Sequence, residues 1–220
     1  MRIELKALWL GLLAAAALGS LPASAAAKSD GHFVSPGNAT ATIQWSEVAR
    51  SNHLLEFAFG AAGEGVVCDA NTYAVFLLGE TQSEATTSPT FSKCHTTGQN
   101  PGTTIIDLNG CSYIFKVAKG TVSSTEQTWR LSCPSGKVLE ITHPNCTMTI
   151  PTQTAENAVT YEPSVIEGVQ GITAIFGASL ATQYHGGICI FLGTSQIVTL
   201  KGSLTMAAYV GGKRVHLTAT

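Results

Sequence analysis

The residues with chemical potential in this chain are few and scattered. Two cysteine–histidine groupings stand out first: Cys94-His95, and His143 with Cys146 three positions on. Thiolate and imidazole are zinc ligands. The paired Cys-x-x-Cys spacing of a tetrahedral site is absent, however, and the same sulfurs are more simply placed in disulfides. Serine chemistry needs an activated hydroxyl with a base and an acid in reach. Gly177-Ala-Ser179-Leu-Ala181 is one glycine short of the strand-to-helix elbow, and Tyr184-His185-Gly186-Gly187 is only loosely like an oxyanion loop. Both runs read as small residues in a turn before Cys189. Glycoside hydrolysis needs two carboxyl groups roughly 5 to 9.5 Å apart. Asp69, Asp107, Glu140 and Glu162 are of the right type, but Glu140 alternates with Leu139 and Ile141 as an exposed strand residue does, and the spacing pairs none of the four. No catalytic residue, cofactor or metal site is assigned. The aromatics offer binding instead. Trp45, Trp129, Tyr161, Tyr184 and Tyr209 can stack on sugar rings, although core packing is the usual fate of such side chains. That leaves Tyr184 and Tyr209 as the ligand-face aromatics.

The elements that must position these groups are short and β-like. Apolar residues recur at every second position in Ile43/Trp45, Leu55/Phe57/Phe59, Trp129/Leu131/Cys133 and Cys146/Met148/Ile150. Period two is the mark of a half-buried strand. Further strands are expected at Gly65–Cys68, Tyr73–Leu78, Gly171–Phe176, Cys189–Leu192, Gln196–Lys201, Leu204–Val210 and Arg214–Thr218. Asn109-Gly110 is the strongest hairpin signal, because both residues tolerate positive φ. It predicts pairing of Ile105–Leu108 with Cys111–Ile114. Pro151–Ser164 is polar and reads as a linker, and Glu162–Gly168 as an irregular or single-turn piece. Many short strands separated by turn signals predict an all-β fold, an antiparallel β-sandwich of Greek-key-like connection.

Ser92–Ile150 organises the chain as a loosely duplicated unit: cysteine, loop, β-like run, turn, cysteine, β-like run. The six cysteines are Cys68, Cys94, Cys111, Cys133, Cys146 and Cys189. Loop-closure entropy favours near neighbours, hence Cys94–Cys111, Cys133–Cys146 and Cys68–Cys189. Geometry objects. A five-residue strand spans roughly 17 Å, whereas a disulfide needs Cα atoms within about 7 Å. The crossed alternative is Cys111–Cys133, at the open end of a hairpin turning near Val122. Both stay open at this level.

Residues 1–27 read as a signal peptide. Arg2 and Lys6 precede an apolar run from Ala7 to Leu18, and Ala-x-Ala sequences end at Ala25 and Ala27, the expected cleavage points. The run is too short to span a bilayer as a helix, and no later run approaches that length. A secreted product without a transmembrane span follows, with residues 28–220 as one domain; the alternative boundary lies at 151–164. The net charge of −2 leaves no basic footprint for nucleic acid. Charged residues make up only 12%, against roughly 25% in ordinary soluble domains. Ser, Thr and Gly replace them, as suits an extracellular β protein.

The cysteine frame resembles that of secreted, β-rich, six-cysteine proteins of soil actinobacteria. The residues that carry the likeness are Ser-Pro-Thr-Phe-Ser-Lys-Cys94, Leu-Asn-Gly-Cys111-Ser-Tyr-Ile-Phe, Cys133-Pro-Ser-Gly-Lys-Val and Cys146-Thr-Met-Thr-Ile-Pro. The resemblance covers roughly Val67 to Thr205 and implies a bacterial exported protein, without an activity. The expected function is a non-catalytic binding or structural module of the envelope or extracellular space, with a glycan or a protein as ligand. The alternatives are a hydrolase with a concealed site, and a surface-assembly subunit that uses Arg214–Thr218 as an edge strand.

Overall fold

The computed structural model describes residues 31–47, 56–59, 64–76, 80–97, 102–117, 127–144, 146–186 and 197–220. Residues 1–27, read above as a signal peptide, and Cys189 lie outside them. The strands are β1 (Phe33–Val34), β2 (Thr42–Glu47), β3 (Glu56–Phe59), β4 (Glu64–Phe76), β5 (Thr81–Gln82), β6 (Glu84–Thr87), β7 (Thr90–Thr97), β8 (Thr103–Asp107) and β9 (Ser112–Lys116). They continue as β10 (Gln127–Ser132), β11 (Leu139–His143), β12 (Cys146–Ile150), β13 (Gln153–Ile166), β14 (Val169–Ala181), β15 (Gln183–His185), β16 (Ile197–Val210), β17 (Lys213–Val215) and β18 (Thr218–Ala219). No helix occurs among the described residues, so none there is long and apolar enough to cross a membrane.

All strand pairs are antiparallel. A three-stranded sheet, β18-β1-β5, stands beside a 15-stranded sheet with the order β15-β12-β11-β8-β7-β4-β2-β16-β14-β13-β10-β9-β6, to which β17 adds beside β16, and β3 beside β16 and β4. The large sheet is open, curled and half-barrel-like. The chain order explains the curl. β7, β8, β11, β12 and β15 form a first arm, and β6, β9, β10 and β13 form a second. Four connections pass between the arms, all at the same end: Ser88-Pro89, Leu108–Cys111, Cys133–Val138 and Pro151-Thr152. Three Cα steps separate Thr87 from Thr90, which holds the arms within about 11 Å there.

Residues of both arms join one hydrophobic core, and period two fills it as expected. The second arm turns Tyr113, Phe115, Trp129, Leu131 and Tyr161 inward; the first turns Leu139, Ile141, Met148 and Ile150 inward, and all belong to one cluster. Tyr113 meets Trp129 edge-on at 4.9 Å between ring centroids. Each such side chain contributes roughly 1.5–3 kcal/mol when fully buried. The small sheet closes one end. Phe33 pairs with Ala219 on one side and Gln82 on the other, and its ring stands edge-on to Tyr161 at 5.3 Å.

Three local expectations are corrected. Asn109-Gly110 is a turn, with φ of 49° and 84° and a 2.7 Å bond from the Cys111 amide to the Leu108 carbonyl. It does not join a hairpin: β8 pairs with β7 and β11, β9 with β6 and β10. Two residues with positive φ specify a tight reversal, but not which neighbours the flanking strands take. The polar run Pro151–Ser164 falls largely in β13, a 14-residue strand between β10 and β14, and the turn waits until Glu167-Gly168. Its polarity comes from alternation with buried Ala155, Val159 and Tyr161. Arg214–Thr218 is split between β17, paired to β16, and β18, paired to β1, and so is not one edge strand.

The neighbour pairing of cysteines is corrected as well. The disulfides are Cys68–Cys94 and Cys111–Cys133, the second being the crossed alternative. Cys68 and Cys94 are direct cross-strand partners on β4 and β7, with Cα atoms 3.9 Å apart. Cys111 and Cys133 stand one step beyond the Ser112–Ser132 pair of β9 and β10, at 4.0 Å. Strand pairing, not loop length, brings the sulfurs together. Cys146 is also disulfide-bonded, and no described cysteine is free.

Candidate functional site

The outer face of the first arm places side chains in registered rows. Ile105 on β8 opposes Thr142 on β11, which opposes Thr147 on β12, which opposes His185 on β15. The adjacent row is Asp107, Glu140, Thr149 and Gln183. Alternation assigns these residues outward, because Ile141 and Met148 between them are buried and Ile106 is half-buried against the core. Ile105 stands in this polar field with 65% of its surface exposed.

Asp107 opposite Glu140 is the one close pair among the four carboxylates considered for hydrolysis. Like charges directly opposed across strands are destabilising. Asn109 offsets this with two donors. Its backbone N–H bonds Asp107 Oδ1 at 2.8 Å, and its side-chain Nδ2 donates to Glu140 Oε2 at 3.3 Å and to the Val138 carbonyl at 3.1 Å. The left-handed turn therefore does more than reverse the chain: it ties both carboxylates to the crossing. Asp69 sits apart on β4, 3.9 Å from His95 Nδ1. Glu162 lies on β13 opposite Thr173.

Beside Asp107, between the Ser88-Pro89 crossing and the Leu108–Cys111 crossing, is an open cavity of 410 Å³. Its walls include Ser88, Phe91, Asp107 and Asn109, and no lysine or arginine. Phe91 is half-buried, with its ring edge against Phe57 at 6.2 Å. Ser88 Oγ and Ser112 Oγ are 3.0 Å apart across the crossing. The Cys111–Cys133 link anchors the same end.

The aromatics singled out from sequence lie elsewhere. Tyr184 opposes Met148 on the inner side of the arm, half-buried against the core, and its hydroxyl oxygen is buried. Tyr209, on β16, is engaged by Arg214: its hydroxyl accepts from Nη2 at 2.8 Å and Nε at 3.2 Å, and the guanidinium lies 5.4 Å from the ring centre. Arg214 also bonds the Ile166 carbonyl and Glu167, each at 2.8 Å. The hydrogen bond to Tyr209 is the main cause that holds the guanidinium above its ordinary value. β15 and β16 are not neighbours in the sheet.

The zinc ligands considered from sequence are otherwise occupied, since Cys94 and Cys146 are both disulfide-bonded. No group of three or more His, Cys, Asp or Glu gathers among the described residues. Ser179 stands mid-ladder on β14 opposite Thr199, where the sequence suggests a turn. Sequence reading misses the Asp107–Glu140 opposition, the exposure of Ile105 and the cavity. Asp-Leu-Asn-Gly signals the turn, but nothing in it says that the flanking strands part. No protein-family model, curated protein or solved structure matches this chain.

Proposed function

We propose that the protein is an exported, non-catalytic binding module, its two arms acting as the layers of a Greek-key-like sandwich, and that the outer face of the first arm is the binding surface. One observation carries the reading: a large apolar residue, Ile105, stands exposed at the head of a registered row of hydroxyl-bearing residues. Such a face offers apolar contact at one end of the row and hydrogen bonds along it, which suits a broad ligand better than a buried small molecule. The signal-peptide pattern and the disulfides support export into an oxidising space. The test takes the exported chain through ester, peptide and glycan substrate panels and through retention on insoluble wall material. Retention without turnover, weakened by Ile105→Glu, is expected; turnover on any panel overturns it.

A second reading, a glycoside hydrolase, draws on Asp107 opposite Glu140. Direct cross-strand partners have Cβ atoms about 4.5–5.5 Å apart, and carboxyl groups near that spacing serve retaining enzymes. Glycan turnover abolished by Glu140→Gln would establish it.

A further inference from the structure

We infer that the cavity between the two crossings binds a sugar ring of a neutral polysaccharide, with Phe91 as its stacking surface and Asp107 as its hydroxyl acceptor. The inference rests on the binding-module reading above and names its ligand.

The chemistry of the walls selects the ligand. Asp107 accepts one bond from the Asn109 amide at Oδ1, and a carboxylate has further acceptor capacity. The Asn109 side-chain nitrogen already donates to Val138 and Glu140, so both of its N–H groups are engaged. The cavity thus pairs a carboxylate acceptor with the hydroxyls of Ser88 and Thr90, which exchange bonds in either direction, and a ligand bearing hydroxyls matches both. No lysine or arginine lines it, so an acidic sugar or a phosphate would meet Asp107, with Glu140 behind it, unneutralised. A neutral sugar ring has hydroxyl donors around its edge and an apolar C–H face that fits the half-buried ring of Phe91. The 410 Å³ volume lies within the range of about 300–1,000 Å³ usual for small-ligand sites.

The surroundings favour a polymer. From Asp107 the row continues through Glu140, Thr149 and Gln183, three strand spacings away, or about 14 Å. A chain held by one ring in the cavity can follow that row with its other hydroxyls. The crossing is held in place by the Cys111–Cys133 link and the Asn109 bonds, which limits the ordering cost of binding.

The test is calorimetry on the exported chain with cellohexaose, laminarihexaose and chitohexaose as neutral probes. An oligogalacturonate serves as the acidic probe and tetramethylammonium as the cationic one. At least one neutral hexasaccharide is expected to bind. Phe91→Ala and Asp107→Ala are each expected to weaken it about tenfold, while Phe91→Tyr stays within about twofold. Urea unfolding of each variant confirms the fold, and Phe91→Leu replaces an alanine variant that does not fold. Failure of all three neutral probes, or tighter binding of either charged probe, overturns the inference. Binding that survives both alanine variants but is lost in Ile105→Glu also overturns it, and leaves the outer-face reading standing. Turnover of a probe strikes the non-catalytic reading instead, and leaves the cavity's ligand class standing if the Phe91 variants behave as described.

Discussion

The two arms follow the same alternating pattern to different ends. The second arm turns an aromatic face inward and an ordinary solvated face outward. Glu84 opposes Lys116, Lys116 opposes Thr128, and Arg130 opposes Thr154, so opposite charges and hydroxyls are interspersed. The first arm turns an aliphatic face inward, yet outside it leaves Ile105 uncovered and sets Asp107 against Glu140. Over β6, β9 and β10 the second arm follows the local rules of sheet surfaces, and its exposed apolar residue, Val165, stands near the end of β13; the first arm departs from them twice within one strand, at Ile105 and at Asp107. Such departures are expected where a surface serves recognition instead of folding. The aromatic packing thus falls on one arm, and the proposed binding chemistry on the other.

The largest effect should come from the aromatic interior. Trp129 is fully buried against Tyr113, and Trp129→Ala should cost about 3–5 kcal/mol in urea unfolding, against about 0.5–1.5 for Ile141→Val in the aliphatic arm. A loss from Trp129→Ala no larger than that of Ile141→Val would break the division. Removing a disulfide comes next. Separations of 26 and 22 residues for Cys68–Cys94 and Cys111–Cys133 predict a loss of about 3 kcal/mol for either double serine variant. Near-equal losses would show that closure entropy governs both; a clear inequality would show that the unfolded state keeps structure around one of them.

Alkaline pH offers an intermediate probe of the aromatic arm. The hydroxyls of Tyr113 and Tyr161 are buried without a hydrogen-bond partner, and burial pushes both phenols far above their ordinary range. The unfolded chain releases these protons near pH 10 and the folded one does not. Below that pH the contribution to stability is complete; above it, stability falls by about 1.4 kcal/mol per pH unit for each tyrosine. Thermal unfolding across pH 9 to 11.5 should show the decline, and Tyr161→Phe should halve its slope. A slope unchanged by that variant would count against the assignment. The smallest effect belongs to the first arm's outer face. Ile105→Ser should change stability by less than about 0.5 kcal/mol and still weaken retention on wall material. Unaltered retention would remove Ile105 from the binding surface.

Much of the fold is legible in the amino-acid sequence. The inward faces of β10 to β12 follow from alternation alone: Trp129 and Leu131, then Ile141, then Met148 and Ile150, are buried where period two places them. The disulfide-bonded state of the described cysteines is legible too, and so is the reversal at Asn109-Gly110. The candidate site is not. Tyr184 and Tyr209 have the right chemistry for a ligand face, but one faces inward and the other is held by Arg214. Asp107 and Glu140 are 33 positions apart in sequence (140 − 107), and only the β8–β11 register makes them neighbours.

The division has a physical cause. Side-chain alternation decides which residues leave water, and it is written locally in each strand. Turn residues decide where the chain reverses, through their own φ. The ladder that joins strands is made of backbone N–H and C=O groups, which are the same at every position, so a strand's own residues leave its partner open. Partner choice comes from the assembled core. The Asn-Gly turn leads across it to the facing arm, Cys111 meets Cys133 because β9 lies beside β10, and the cavity exists because two crossings pass side by side.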